Sequence, residues 1–150
     1  MEPVAIKPLE NVTDARLLTS QKESFSYGLV KYGIPITKSN FKYGGGSTTI
    51  YTIPEGKLFF MTAVTLTAFS TAANDAPFYI QSYNNGKILY IQLTTGSVTE
   101  QAEEKVLSFT QPILFYQNDV ISVVSGSAAG EATGIIYGYE IDASMKDQFI

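Results

Sequence analysis

The sequence predicts an all-β fold, an antiparallel β-sandwich, on three observations. The first is the stretch Ile50–Phe69, where a short β-rich run meets Pro54-Glu55-Gly56 and a longer run leaves. Proline offers no amide hydrogen to a ladder and glycine accepts positive φ, so the pair marks a corner between strands. Beyond it Val64, Leu66 and Ala68 alternate with Thr65 and Thr67. That period of two places one face in a core, and the length of the run, Lys57 to Ser70, suits the centre of a sheet. The second observation is recurrence. Short runs of this kind repeat to the C-terminal end, about eight or nine strands with no convincing long helix, the spacing of a sandwich or barrel. The third is composition. Only 16% of the 150 residues are charged while 45% are hydrophobic, so the surface is polar but mostly uncharged, the kind that copies of the same chain cover. A chain of this length buries roughly 70% of its unfolded surface and needs no metal or disulfide to hold a core.

The elements follow in order. Residues 1–24 form an N-terminal arm. Pro3 and Pro8 argue for an extended start, and Asn11–Glu23 has room for a short helix capped by Asn11 or Thr13. Two readings fit the arm: a segment packed on the sandwich, or an anchor that reaches a neighbouring subunit or a larger body. The sandwich itself spans residues 25–141. Phe25–Tyr32 reads as a strand, interrupted by Gly33 and Pro35 and continued by Ile34–Thr37 as an edge. Asn40–Ser47 reads as a loop. Its three glycines do not make a phosphate cradle, because Gly46 leads into the strand-like Ser47-Thr48-Thr49-Ile50 and not into a Gly-Lys-Ser/Thr helix start.

After the corner, Thr71–Pro77 is a loop and Phe78–Tyr83 a strand. Asn84-Asn85-Gly86 is a hairpin signal, with the Asn-Gly pair in the two left-handed positions of a type I′ turn. Lys87–Leu93 returns with Leu89, Ile91 and Leu93 on one face. Thr94–Glu104 is a polar connection. Lys105–Phe109 and Pro112–Tyr116 are strands, Gln117-Asn118-Asp119 a turn, and Val120–Val124 a strand. Ser125–Glu131 is a loose loop. Thr133–Ile141 closes the domain with Ile135, Tyr137, Tyr139 and Ile141 on one side, and residues 142–150 form a polar tail. Several connections are long, which favours jelly-roll or Greek-key pairing over a meander. Core and interface together take Val64, Leu66, Leu89, Ile91, Leu93, Val120, Ile121, Val123, Ile135 and Tyr137.

Little in this chain points to catalysis. It has no cysteine and no histidine, which removes thiol chemistry, zinc-thiolate sites and the usual general base near neutral pH. A hydroxyl nucleophile would depend on lysine or a carboxylate. Glu103 and Glu104, beside Glu100, are adjacent; on a strand they point to opposite faces and cannot flank a glycosidic bond. Asp119 and the Asn74-Asp75 pair read as turn residues that bond their own backbone. No loop has calcium-site spacing, and no metal or cofactor is implied. A net charge of −4 without a basic run argues against nucleic acid, and no run reaches the ~18 apolar residues of a membrane span. Five residues remain as a candidate ligand site: Tyr79, Tyr83 and Tyr90, flanking Asn84 and Asn85. Exposed tyrosine beside asparagine can stack on and hydrogen-bond a sugar. The alternatives are cross-strand aromatic pairing and burial between subunits.

Three pieces resemble small jelly-roll modules of viruses and bacteriophages, found in capsid, decoration, head-fibre, spike and tail proteins. Tyr51-Thr-Ile-Pro-Glu-Gly-Lys-Leu-Phe-Phe-Met-Thr-Ala-Val-Thr-Leu66 is similar to their proline-x-glycine-lysine corner before a threonine-rich strand. Pro112–Val123 is similar to their penultimate strand pair, with Asn118 where glycine is usual, which a left-handed turn position tolerates. Gly134–Ile141 is similar to their closing Gly-Tyr-Glu-Ile strand. The pieces cover residues 48–141 and are architectural. The resemblance implies a non-enzymatic virion subunit that assembles as a homo-oligomer, a trimer favoured, and meets other virion proteins through the arm. The runner-up is a carbohydrate-binding module or receptor-binding tip that uses the Tyr79–Tyr90 hairpin on a host glycan.

Overall fold

The structure is a computed structural model, and it describes residues 33–71, 76–93 and 101–148. The arm of residues 1–24, the strand expected at Phe25–Tyr32 and the Asn74-Asp75 turn lie outside these, as do residues 94–100. Eight strands are described: β1 (Ile34–Tyr43), β2 (Gly46–Thr52), β3 (Lys57–Ser70), β4 (Ala76–Ser82), β5 (Gly86–Leu93), β6 (Gln101–Phe115), β7 (Val120–Ser125) and β8 (Gly130–Asp142). They form two antiparallel four-stranded sheets, in the orders β1-β8-β3-β6 and β2-β7-β4-β5. The chain crosses between sheets at nearly every connection, and this interleaved order is the jelly roll. β3 is an inner strand, paired with both β8 and β6.

The core between the sheets is built on the alternation read in the sequence. Val64, Leu66 and Ala68 of β3 face Leu89, Ile91 and Leu93 of β5 across it and share it with Ile121 and Val123 of β7, all buried. Phe59, Phe78 and Phe115 are fully buried there, and the Phe59 and Phe115 rings lie 6.1 Å apart. The run Leu58-Phe59-Phe60-Met61 is buried throughout because it serves two cores. Phe59 and Met61 join the main one. Leu58 and Phe60 turn outward and are covered, with Leu114, Tyr139 and Ile141, by Ala143 and Met145 of a C-terminal 3-10 helix, Ala143–Gln148. A bulge at Thr62 then reverses the parity of β3. Downstream of it the even-numbered positions face in.

Three expectations change, and a fourth, left open between core and interface, is decided. Asn40–Ser47 is not a loop: β1 continues to Tyr43, ten residues paired with β8, and Gly46 already opens β2. The two strands expected at Lys105–Phe109 and Pro112–Tyr116 are one, β6, which also takes in Gln101–Glu104 from the expected connection. Pro112 fits because β6 bulges there: Met61 pairs with Ile113 but Ala63 with Ser108, so residues 109–112 stand out of the ladder. The hairpin is not type I′. Tyr83, Asn84 and Asn85 form a three-residue turn between Ser82 and Gly86, and Gly86 alone takes positive φ, at 65°. Lastly, the side of β8 bearing Ile135, Tyr137 and Tyr139 faces outward, as does Val120 of β7. The core side of β8 is Ala132, Gly134, Ile136, Gly138 and Glu140, where the glycines admit the Ile50, Ile80 and Phe59 side chains. The Asn118 turn is as expected, with φ at 67°.

Candidate functional site

Two outer faces and one cross-sheet contact hold the side chains of interest. Residues paired across antiparallel strands share a face, so the ladder defines the outside of the β1-β8-β3-β6 sheet. Tyr137 sits between Thr37 and Ala63, Ile135 between Ser39 and Thr65, and Thr65 is opposite Val106. Towards one end stand Phe41, Tyr43 and Phe69. Val106 is 63% exposed, Phe41 56% and Tyr43 75%. The charged residues on the strands of this face are Glu104 and Glu131, both near that same end. Among the described residues this face thus combines aromatic, aliphatic and threonine side chains with little charge.

The outside of the other sheet carries the sequence-predicted ligand residues. Tyr79 and Tyr90 are directly opposite in the ladder and stack, centroids 6.3 Å apart. The Lys87 ammonium lies 4.6 Å from one ring centroid and 5.1 Å from the other. Tyr83 stands apart at the turn, 95% exposed. Asn84 is engaged, its Nδ2 donating to Asp119 Oδ1 at 2.6 Å, while the Asn85 amide donates to Ser82 Oγ. The structure therefore brings Tyr79 and Tyr90 together as a cross-strand pair and does not gather all five residues. Asp119 also accepts from the Tyr116 amide at 2.8 Å, the turn role read for it.

The contact that sequence reasoning missed joins the two sheets. Tyr51 of β2 donates its phenol proton to Glu140 of β8, a buried carboxylate. Burial pushes the Tyr51 phenol above its usual range, and the hydrogen bond to Glu140 adds to the rise. The Tyr51 ring packs edge-on against Phe59, and Lys38 lies 5.3 Å from its centroid. At the surface Lys57 pairs with Asp142 at 2.5 Å, which raises the lysine pKa. The only available signal for Glu140 was its parity with Ile136 and Gly138 on β8.

The strand geometry separates two other groupings of polar side chains. Ser39-Asn40-Phe41-Lys42 has Ser-x-x-Lys spacing, but on an extended strand Ser39 and Lys42 point to opposite faces. Glu103 and Glu104 likewise diverge on β6 and are exposed. Among the described residues no three His, Cys, Asp or Glu side chains group to hold a metal, and no helix is long and apolar enough to cross a membrane.

No protein-family model matches the chain, and no curated protein matches it in sequence. Among solved structures, the chain is similar to the capsid of cyanophage Pam1, with 14% identity over 73% of this chain and 86% of that one, TM-score 0.44. It is similar to a pentameric capsid protein from metagenomic phage sequences, with 19% identity over 72% of this chain and 64% of that one, TM-score 0.43. It is also similar to the Eiger TNF of S. frugiperda, with 8% identity over 75% of this chain and 96% of that one, TM-score 0.48. The jelly-roll assignment rests on the strand order of this chain itself.

Proposed function

We propose that this chain is a non-enzymatic structural protein of a virus particle, a capsid, decoration, fibre or spike subunit, that assembles through its sandwich as a homo-oligomer. The observation that carries the reading is the outer face of the β1-β8-β3-β6 sheet. Its exposed Phe41, Tyr43, Val106 and Tyr137, set among threonine, serine and alanine, make a broad sheet face with little charge to hydrate. The edges of that sheet support head-to-tail closure. β1 carries Lys38 and Lys42 and no carboxylate, whereas the exposed half of β6 carries Glu103 and Glu104 with Lys105. Unlike patches that meet head to tail close into rings when the rotation allows, and three copies is the number we favour. The virion setting is supported by the resemblance of residues 48–141 to viral jelly-roll modules. Residues 1–24 then serve as the arm that joins other virion proteins.

The test is the mass of the purified chain in solution, by light scattering over a dilution series. The expected result is a closed oligomer whose mass holds on dilution, and a Tyr137→Lys variant that runs as a folded monomer, because a lysine ammonium at the centre of the face has no partner there. A wild-type chain that is monomeric at every concentration overturns the assembly reading. For the arm, deletion of residues 1–24 is expected to leave the oligomer intact and abolish its incorporation into particles. Unchanged particle content would exclude the anchor role.

A further inference from the structure

We propose that the outer face of the β2-β7-β4-β5 sheet binds a saccharide, in a cleft whose polar contacts come mainly from residues other than the hairpin asparagines. The cleft has a volume of about 350 Å³ and is lined by Gln81, Ser82, Tyr83, Gly86, Val120 and Ser122. The ladder orders its floor. Ser122 of β7 is opposite Gln81 of β4, and Gln81 is opposite Lys87 of β5. This row of hydroxyl, amide and ammonium crosses three strands. The next row along the sheet is Val124, Tyr79 and Tyr90, so an aromatic wall borders the polar row on one side. On the other side the cleft is bounded by Val120 and by Tyr83, whose ring is almost entirely exposed.

This arrangement has the parts a sugar requires. Pyranose rings present an apolar C–H face and a rim of hydroxyls. Tyr83 offers a ring for the face, and a planar amide beside a hydroxyl offers paired donors and acceptors for the rim. Neither the Gln81 amide nor the Ser122 hydroxyl is used in a hydrogen bond with another described side chain. Asn84 and Asn85, by contrast, are tied into the turn. Charge narrows the ligand class. Among the described residues Lys87 is the one cation beside the cleft, and its ammonium rests over the Tyr79 and Tyr90 rings. One cation cannot track a phosphate backbone, which sets nucleic acid aside. The site lies on the opposite sheet from the proposed assembly face, so that contact does not cover it.

The test is an array of neutral and acidic oligosaccharides probed with the labelled full-length chain, alongside Gln81→Ala and Tyr83→Ala variants checked for unchanged circular dichroism and thermal midpoint. Both side chains are on the solvent side of the sheet or turn, so neither change removes core packing. The expected result is concentration-dependent binding to at least one saccharide class, reduced at least tenfold in each variant. Binding retained within about twofold in both variants overturns the site. An array with no saccharide bound, including one on which the chain captures only protein or peptide controls, overturns the ligand class. Either failure leaves the oligomer mass untouched, so it is distinguishable from a failure of the assembly reading.

Discussion

Gly138→Ala is expected to destabilise the fold by about 3 kcal/mol or more, at the upper end of what overpacking costs. A Cβ at Gly138 would sit 2.1 Å from the carbonyl oxygen of Phe60 and 2.8 Å from two atoms of the Phe59 ring. The ring is fully buried between Tyr51 and Phe115 and has no room to retreat. The carbonyl belongs to β3, which is held by β8 on one side and β6 on the other, so moving it breaks ladder pairing on both. The control is Gly45→Ala in the turn between β1 and β2, where an added Cβ meets nothing within 4 Å and φ is not in the left-handed region; it should change stability by less than about 0.5 kcal/mol. Urea unfolding of the two variants gives the comparison. With an m-value of roughly 1–3 kcal/mol/M for a small domain, Gly138→Ala should lower the midpoint by about 1–3 M. A Gly138→Ala midpoint within about 0.3 M of wild type would show that the strands part there without cost.

The same position shows where the sequence was legible and where it was not. The corner at Pro54–Gly56 and the alternation of β3 beyond it were readable because one face of that strand is apolar and the other is threonine. β8 misleads for the opposite reason. Its large residues, Ile135, Tyr137 and Tyr139, cover the outside, while its core side is largely glycine and alanine that make way for Phe59, Ile50 and Ile80. Hydrophobic periodicity finds a strand but cannot tell which face is inside when small residues line the core. The four-residue buried run at Leu58–Met61 has no period at all, because a second, smaller core under the C-terminal 3-10 helix takes alternate residues. β6 reads as two strands because Pro112 breaks the pattern, and as starting late because Glu103 and Glu104, beside Lys105, look like a loop end. They are strand residues on an edge, exposed on both faces. At the candidate ligand site the three-residue turn and the register shift after Ile80 set Tyr79 against Tyr90, where a type I′ turn would have set it against Gln92, so the sequence placed the two tyrosines on neighbouring strands without their pairing. It did not reach Ser122, which comes to Gln81 only through the non-local pairing of β4 with β7.

Tyr51→Phe is expected to cost about 2 kcal/mol, the worth of a hydrogen bond to a charged group. The change keeps the ring against Phe59 and removes only the oxygen that donates to Glu140. Glu140 is 8% exposed, so the variant leaves a buried carboxylate without its donor. A double-mutant cycle with Glu140→Gln isolates the pair. If the contact matters as a pair, the double variant is less destabilised than the two single costs added together. The pH dependence gives an independent check with a definite sign. The Tyr51 phenol is raised in the folded chain, by burial first and by Glu140 second. The unfolded chain therefore releases this proton near the ordinary tyrosine value of about 10 while the folded chain still holds it. The contribution is fully present below about pH 10 and is lost as the pH rises beyond it, since the folded state then binds more protons than the unfolded one. Wild type and Tyr51→Phe should thus differ by a constant amount from about pH 6 to 9, and the gap should begin to narrow above about pH 10 and be clearly smaller at about pH 11. A gap that stays constant through about pH 11 would mean that the Tyr51 proton is held no more tightly in the folded chain than in the unfolded one, and the two sheets would then be joined at this edge by packing alone.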